Sequence, residues 1–348
     1  MKGSQKKKIF WMIFSLVLAL LTIWAVLKQS EDMSIKKLLT IIEGADKKWI
    51  IVSMISATLF VFFEAVAICS ILKEISYKKS IGKGILYSTS DIYFSAITPS
   101  ATGGQPASAF FMLRDGIPVG VASATLVVNL MMYTAAIIFL GLIAVIVSPK
   151  LFFEFNFWSR VFIGAGAIGL TVLVIFFLAV LRRGEKVFTA LANLLRFLHK
   201  KKIIHKLDSR LLRLNKIQID YENCSSLISG KSSIMFKAFF WNVVQRSCQI
   251  VVPSLVYIAL GGQRHQSVLL FFKQCLITIG YNFVPIPGAM GIADYLMIDG
   301  FSSFMTKNAA FELDMISRGI TFYICVSISG IITLIGYMKG KKRYDRSL

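Results

Sequence analysis

Six stretches of this chain, residues 9–27, 49–72, 118–148, 160–181, 234–260 and 315–338, each hold about 20 or more mostly apolar residues. A run of that length crosses the ~30 Å of hydrocarbon in a bilayer as an α-helix. Lipid tails form no hydrogen bonds, so every amide and carbonyl inside them must be paired within the protein, and helices do this without help from another segment. An apolar fraction of 56% places the whole chain in the membrane class. The helices rather than the 348 residues then set the domain count, and one transmembrane domain over residues 1–348 is expected.

Two further apolar segments, 85–113 and 267–306, are interrupted. The first contains Thr98-Pro-Ser-Ala-Thr-Gly-Gly-Gln-Pro106 and the second Asn282-Phe-Val-Pro-Ile-Pro-Gly-Ala-Met-Gly291. Each reads as helix, break, helix. Irregular backbone at membrane depth is tolerated where protein buries it or where it lines a wet cavity, and paired breaks point to a transporter's binding site. Gly103, Gly104, Gly288 and Gly291 open backbone conformations closed to other residues, while Pro99, Pro106, Pro285 and Pro287 remove donors and stop helices. Pro106, followed by Ala107, Ser108 and Ala109, suits the first turn of a half-helix, whose free amides and dipole attract an anion. Ser100, Thr102 and Gln105 add hydroxyl and amide groups beside it. A lipid phosphate or an inorganic ion would satisfy this chemistry.

The net charge of +21 is concentrated in the loops, which favours topology and anionic lipid over nucleic acid. Residues 2–8 carry four basic residues and no acid, 73–84 four against one, 182–233 twelve against four, and 339–348 five against one. These four regions are expected on the cytoplasmic side. Residues 28–48 and 307–318 are nearly balanced, at five against four and two against two, and belong outside. The assignment closes if 85–113 enters and leaves from the cytoplasm and 267–306 from outside. Both termini are then cytoplasmic, and the chain consists of two inverted repeats with two re-entrant helical hairpins. Two ordinary spans kinked by proline are the alternative.

Four of the five cysteines lie inside apolar spans, no CxxC occurs, and the three histidines lack metal-ligand spacing, so neither a disulfide framework nor a metal or other cofactor is expected. The run 9–27 is longer than a signal-peptide core and no A-x-A site follows, which favours an uncleaved first helix. The basic segment 182–233 has leucines at helical spacing, consistent with an amphipathic hairpin on the inner leaflet or with a solvated connector. No P-loop, nucleophile elbow or HExxH is present.

Charges at bilayer depth cost ~2.5–3.5 kcal/mol on insertion scales, so each requires a partner or a function. Glu64 and Asn129 lie within spans, Asn242, Gln245, Arg246 and Gln249 share one face of 234–260, and Lys273 and Gln274 lie early in the second hairpin. Asp91 precedes the first break, Asp294 follows the second, and Arg114 and Asp115 close the first hairpin. Glu64 and Arg246 occupy corresponding helices of the two halves and are expected to face one central cavity, the alternative being a pair that only fixes helix packing.

The stretch Ile97-Thr-Pro-Ser-Ala-Thr-Gly-Gly-Gln-Pro-Ala-Ser-Ala-Phe-Phe-Met-Leu-Arg-Asp-Gly116, with Val284-Pro-Ile-Pro-Gly-Ala-Met-Gly-Ile-Ala-Asp294, resembles the lysylphosphatidylglycerol synthase transmembrane region. This is the flippase-like family that includes the membrane half of MprF, and the resemblance covers roughly residues 9 to 340. Its first motif supplies Pro99, Gly103, Gly104, Gln105 and Pro106, and its second Pro285, Pro287, Gly288, Gly291 and Asp294. The family more often has Gly-Gly at Gly288-Ala289 and glutamate at Asp294.

The resemblance implies translocation of a phospholipid in the cell membrane, such as aminoacylated phosphatidylglycerol, and with it resistance to cationic antimicrobial peptides. The chain ends at Leu348, soon after its last span, so the family's fused synthase domain is expected to be absent. The partners implied are membrane phospholipids, with a separate synthase or a second copy as further candidates. The proposed path runs along Glu64, Arg114, Asn129, Arg246, Asn282 and the two breaks. A phosphatidylglycerol lysyltransferase or its membrane subunit, and a small-solute or ion transporter, are the alternatives.

Overall fold

The computed structural model describes residues 35–98, 102–201, 207–284, 289 and 291–345. The expected span 9–27 and the residues Pro99, Ser100, Pro285, Pro287 and Gly288 lie outside these. The described part is all-α. Its helices are α1 (Ile35–Gly44), α2 (Lys47–Glu74), α3 (Ile81–Ile97), α4 (Gly104–Arg114), α5 (Val119–Val147), α6 (Lys150–Phe153), α7 (Phe157–Arg182) and α8 (Gly184–Lys200). There follow α9 (Leu207–Gly230), α10 (Ser232–Ile250), α11 (Val252–Ala259), α12 (Arg264–Asn282), α13 (Ile292–Phe301), α14 (Lys307–Arg318), a π-helical stretch (Gly319–Ile324) and α15 (Cys325–Asp345).

Asp46 starts α2, its carboxylate accepting from the Lys48 amide at 2.9 Å and so satisfying one donor that a first turn leaves free. The 28 residues of α2 reach ~42 Å at 1.5 Å per residue. Ser53, Ser56, Ala57, Phe60 and Glu64 lie on its buried face. Small residues there let α10 approach, and Ser56 Oγ donates to the Cys248 carbonyl at 2.7 Å. The opposite face, with Ile51, Ile55 and Phe62, is exposed, as are Ile168, Val172, Ile175 and Phe176 of α7. Stripes this apolar are the lipid-facing sides of a membrane bundle.

Among the described residues, four helical stretches are long and apolar enough to cross a membrane: Lys47–Glu74, Val119–Val147, Phe157–Arg182 and Lys307–Lys339. The first three correspond to the expected spans 49–72, 118–148 and 160–181. The fourth contains 315–338 but starts earlier, because α14 runs through the π stretch into α15. The expected span 234–260 is divided at Val251 into α10 and α11. Pro253, in the first turn of α11, has no amide to continue the hydrogen bonding of α10.

Both interrupted segments are helix, break, helix. The arms α3 and α4 pack together, as do α12 and α13. Across the molecule α2 packs on α10, α3 on α15 and α12 on α5. Exchanging α2 for α10–α11, α3–α4 for α12–α13 and α5 for α14–α15 turns each of these contacts into another of the set. That is the pairing two related halves require. One apolar cluster gathers about the first hairpin (Ile68, Leu72, Met112, Val128), another about the second (Leu270, Ile277, Leu296, Leu313).

The basic segment 182–233 forms two packed helices, with Phe188 against Tyr221 at 5.5 Å between ring centres. Tyr221, Cys224 and Ile228 of α9 are buried and α9 packs on α5, so this segment is docked on the bundle. Burial pushes the Cys224 thiol up to about 12, which keeps it protonated and unreactive. All five cysteines are free thiols.

Candidate functional site

A cavity of about 520 Å³ lies where the two halves meet. The first half contributes Glu64 of α2, Asp91 of α3, Gln105 of α4, and Asn129 and Tyr133 of α5. The second contributes Arg246 and Gln249 of α10, Gln274, Tyr281 and Asn282 of α12, and Arg318 of α14. Val284 and Ala289, flanking the second break, also line it.

Asp91 fastens the first hairpin. Its carboxylate accepts from Gln105 Nε2 on the facing arm at 2.8 Å and from Ser95 Oγ at 3.1 Å. The arms approach so closely that a Cβ on Gly104 would lie 2.0 Å from both Asp91 Oδ1 and Ser95 Oγ. Glycine is therefore required there by space. Glu64 accepts from Ser88 Oγ at 3.1 Å and from Gln245 Nε2 at 3.2 Å.

Arg246 is differently held. Its guanidinium carbon lies 3.6 Å from the centre of the Tyr133 ring and 5.0 Å from that of Phe60, and Nη1 donates to Gln249. Glu64 and Arg246 thus share one cavity, as expected, yet no ion pair joins them. Besides Gln245 to Glu64, two further hydrogen bonds join the halves beside the cavity: Asn242 Nδ2 to Asn129 Oδ1 and Tyr133 Oη to Asn282 Oδ1, both at 3.1 Å.

At the second break Gly291 has φ +81°, a conformation that favours glycine. Its amide donates to Asp294 Oδ2 at 2.7 Å, and Asp294 Oδ1 accepts from Arg318 Nη1 at 2.5 Å. At the first break the Gly103 amide donates to Thr98 Oγ1 at 2.9 Å. The leading amide at each break is therefore already occupied. At α13 the occupant is a carboxylate, which itself answers the helix dipole. The anion expected at the half-helix N-terminus does not have these two groups to bind.

Of the residues assigned to the path from the sequence, Glu64, Gln105, Asn129, Arg246 and Asn282 line the cavity, as do Asp91, Gln249 and Gln274 among the other polar residues of the spans. Thr102, Gly103, Gly104, Pro106, Gly291 and Asp294 belong to the breaks and the half-helix starts beside it, outside the lining. Arg114 lies apart, exposed, its guanidinium over Phe110, Phe111 and Tyr337 at 5.6, 5.8 and 5.5 Å. Lys273 has a packing role: its ammonium reaches the Gly300 carbonyl at 2.9 Å, Ser303 Oγ at 2.6 Å and Glu154 at 2.7 Å.

Tyr133, Tyr281 and Arg318 were not expected. Tyr133 follows Asn129 by four residues and so shares its helix face, a signal that was available. Arg318 lies in the overlap of the apolar span 315–338 and the charge-balanced loop 307–318, which masks it as a charge within the span.

The fold and cavity define a polytopic α-helical membrane protein whose two broken helix pairs flank a charged chamber. The chain belongs to the family described as the lysylphosphatidylglycerol synthase TM region, whose model matches residues 12–329. It is 24% identical over 313 residues to a UPF0104 membrane protein of Archaeoglobus fulgidus, covering 87% of this chain and 90% of that one. It is 23% identical over 328 residues to a UPF0104 membrane protein of Methanocaldococcus jannaschii, covering 92% and 94%.

Proposed function

We propose that the protein moves a phospholipid between the leaflets of the cell membrane, passing the head group through the central cavity while the acyl chains stay in surrounding lipid. The observation that carries this reading is a chamber lined by charged and amide side chains from both halves, set in a bundle whose outer faces are apolar. Its volume of about 520 Å³ falls in the range of small-molecule sites. Carboxylates of Glu64 and Asp91 and the guanidinium group of Arg246 offer partners for an ammonium and a phosphate respectively. This favours a charged lipid such as aminoacylated phosphatidylglycerol, in line with the family's description. The loop charges favour cytoplasmic termini, with α3–α4 re-entering from the cytoplasm and α12–α13 from outside. The proposed direction is from the inner to the outer leaflet.

The test is the purified chain in liposomes containing fluorescent phosphatidylglycerol and lysylphosphatidylglycerol, with label in the outer leaflet quenched chemically. Leaflet exchange faster than in protein-free vesicles is expected. Exchange no faster than the blank overturns the proposal. Uptake of a soluble ion or solute in its place would identify a solute transporter, and lipid modification on addition of tRNA and amino acid would identify an enzyme.

A further inference from the structure

Glu64 on α2 accepts from Ser88 Oγ of α3 at 3.1 Å, and Asp91 stands one turn further along α3, so the two carboxyl groups open on the same part of the cavity. Both are buried, at 6% and 8% exposure, and both line the cavity. Two ionised carboxylates so placed repel each other, and one proton held between them relieves the repulsion. The groups around them are Ser88 and Ser95 on α3, Gln105 on α4, Tyr133 on α5, Gln245 and Arg246 on α10, and Cys325 on α15.

Arg246 is the cation nearest this pair. It is 5% exposed, lines the cavity, and its Nε has no hydrogen-bond partner. In the second half the corresponding charge is already met, because Arg318 is ion-paired to Asp294.

Charge counting then separates two states. With one proton between Glu64 and Asp91, a single negative charge balances Arg246 and the chamber is neutral. Without it, two negative charges stand against one positive, in a medium where such an imbalance is costly. Taking up one cation restores neutrality. A proton does this, and so does the ammonium of a head group; both need the same two carboxylates. Gln274, 5% exposed with an unpartnered Oε1 on the cavity wall, offers a further acceptor to an ammonium but none that a shared proton would use.

We propose that Glu64 and Asp91 form a proton-binding pair, and that each cationic head group crossing the cavity is exchanged for one proton. This rests on the lipid reading above. An arriving ammonium displaces the proton to the side from which the lipid came, breaking one O–H bond. When the head group leaves on the far side, the pair takes a proton from that side and the bond is remade. The membrane's own proton gradient supplies the drive.

The same liposomes separate this inference from the reading it rests on. Exchange is first measured at equal pH, which tests translocation alone. A pH difference of about one unit is then imposed, with lysylphosphatidylglycerol as the cationic probe and phosphatidylglycerol as the probe without a cation. One-for-one exchange should enrich lysylphosphatidylglycerol about tenfold in the leaflet facing the acidic side and leave phosphatidylglycerol unmoved. A pH dye inside the vesicles should report proton movement opposite to the lipid, and Glu64→Gln and Asp91→Asn should each abolish the gradient response. Exchange at equal pH with no enrichment under the gradient overturns proton coupling and leaves translocation standing. A full response in both variants overturns the assignment to this pair. No exchange under any condition overturns both.

Discussion

The two broken hairpins share a plan and differ in what fastens them. In α3–α4 the bonds of the two aspartates run between the arms. Asp91 holds Gln105 near the break, and at the other end Asp115 accepts from Lys83 Nζ at 2.5 Å and Tyr87 Oη at 2.7 Å. In α12–α13 most of the strong bonds run outward. Asp294 of the short arm holds Arg318 in α14, and Lys273 of the long arm reaches Glu154 as well as the Gly300 carbonyl. The aspartates of the first hairpin thus tie its arms to each other rather than to a neighbouring helix. The second can move only by carrying α14 and the π stretch with it or by breaking charged contacts. Related halves need not be mechanically equivalent, and here the difference lies in where two aspartates find their partners.

The largest expected effect comes from cutting the outward anchor. Arg318→Ala leaves Asp294 without its counter-charge beside Asp314, which is fully buried. Removing one partner of a fully buried ion pair costs ~3–5 kcal/mol, and the cost here is lower because Asp294 is 31% exposed. Thermal unfolding in detergent should fall accordingly, and exchange should be lost with it. Unchanged unfolding would mean that the second hairpin is not anchored through α14.

Gly104→Ala comes next and strikes the other hairpin. Its Cβ would meet Asp91 Oδ1 and Ser95 Oγ at 2.0 Å and the Asp91 carbonyl at 2.7 Å. Side chains can swing away from such a contact but the carbonyl cannot, and overpacking of this sort costs ~1–3 kcal/mol. Since the strain falls between the arms, leaflet exchange should slow and the unfolding temperature should drop less than for Arg318→Ala. Equal exchange rates in Gly104→Ala and the unaltered chain would show that the arms need not touch.

These contrasts were only partly legible in the sequence. Spans such as 49–72 and 118–148 follow from local apolar run length, so their helices could be located without knowing what they touch. The division at Val251 was harder, because a proline inside an apolar run either kinks a helix or ends it and neighbouring helices decide which. Glu64, Asn129, Arg246 and Asn282 were legible because a polar group in an apolar run must turn away from lipid. Tyr133 and Tyr281 were not, since a tyrosine is equally at home in a core or at a membrane interface. The bond between Asp294 and Arg318 joins residues 24 apart along the chain, and only the packing of α13 on α14 brings them together.

Arg114 tests the comparison from its weakest side. Its nearness in sequence to the first break grouped it with the path, but it stands at the far end of the 11-residue α4, ~15 Å along the axis from Gly104. There it packs on Phe110 and Phe111 of its own helix and on Tyr337 of α15. An exposed cation over aromatic rings contributes ~0.5–1 kcal/mol. Arg114→Gln should therefore lower the unfolding temperature slightly and leave leaflet exchange within error of the unaltered chain. Loss of exchange at unchanged stability would extend the head-group path along the whole of α4. The first hairpin would then be a wall of that path for its full length, and its arm-to-arm bonds would have to open during transport rather than travel with it.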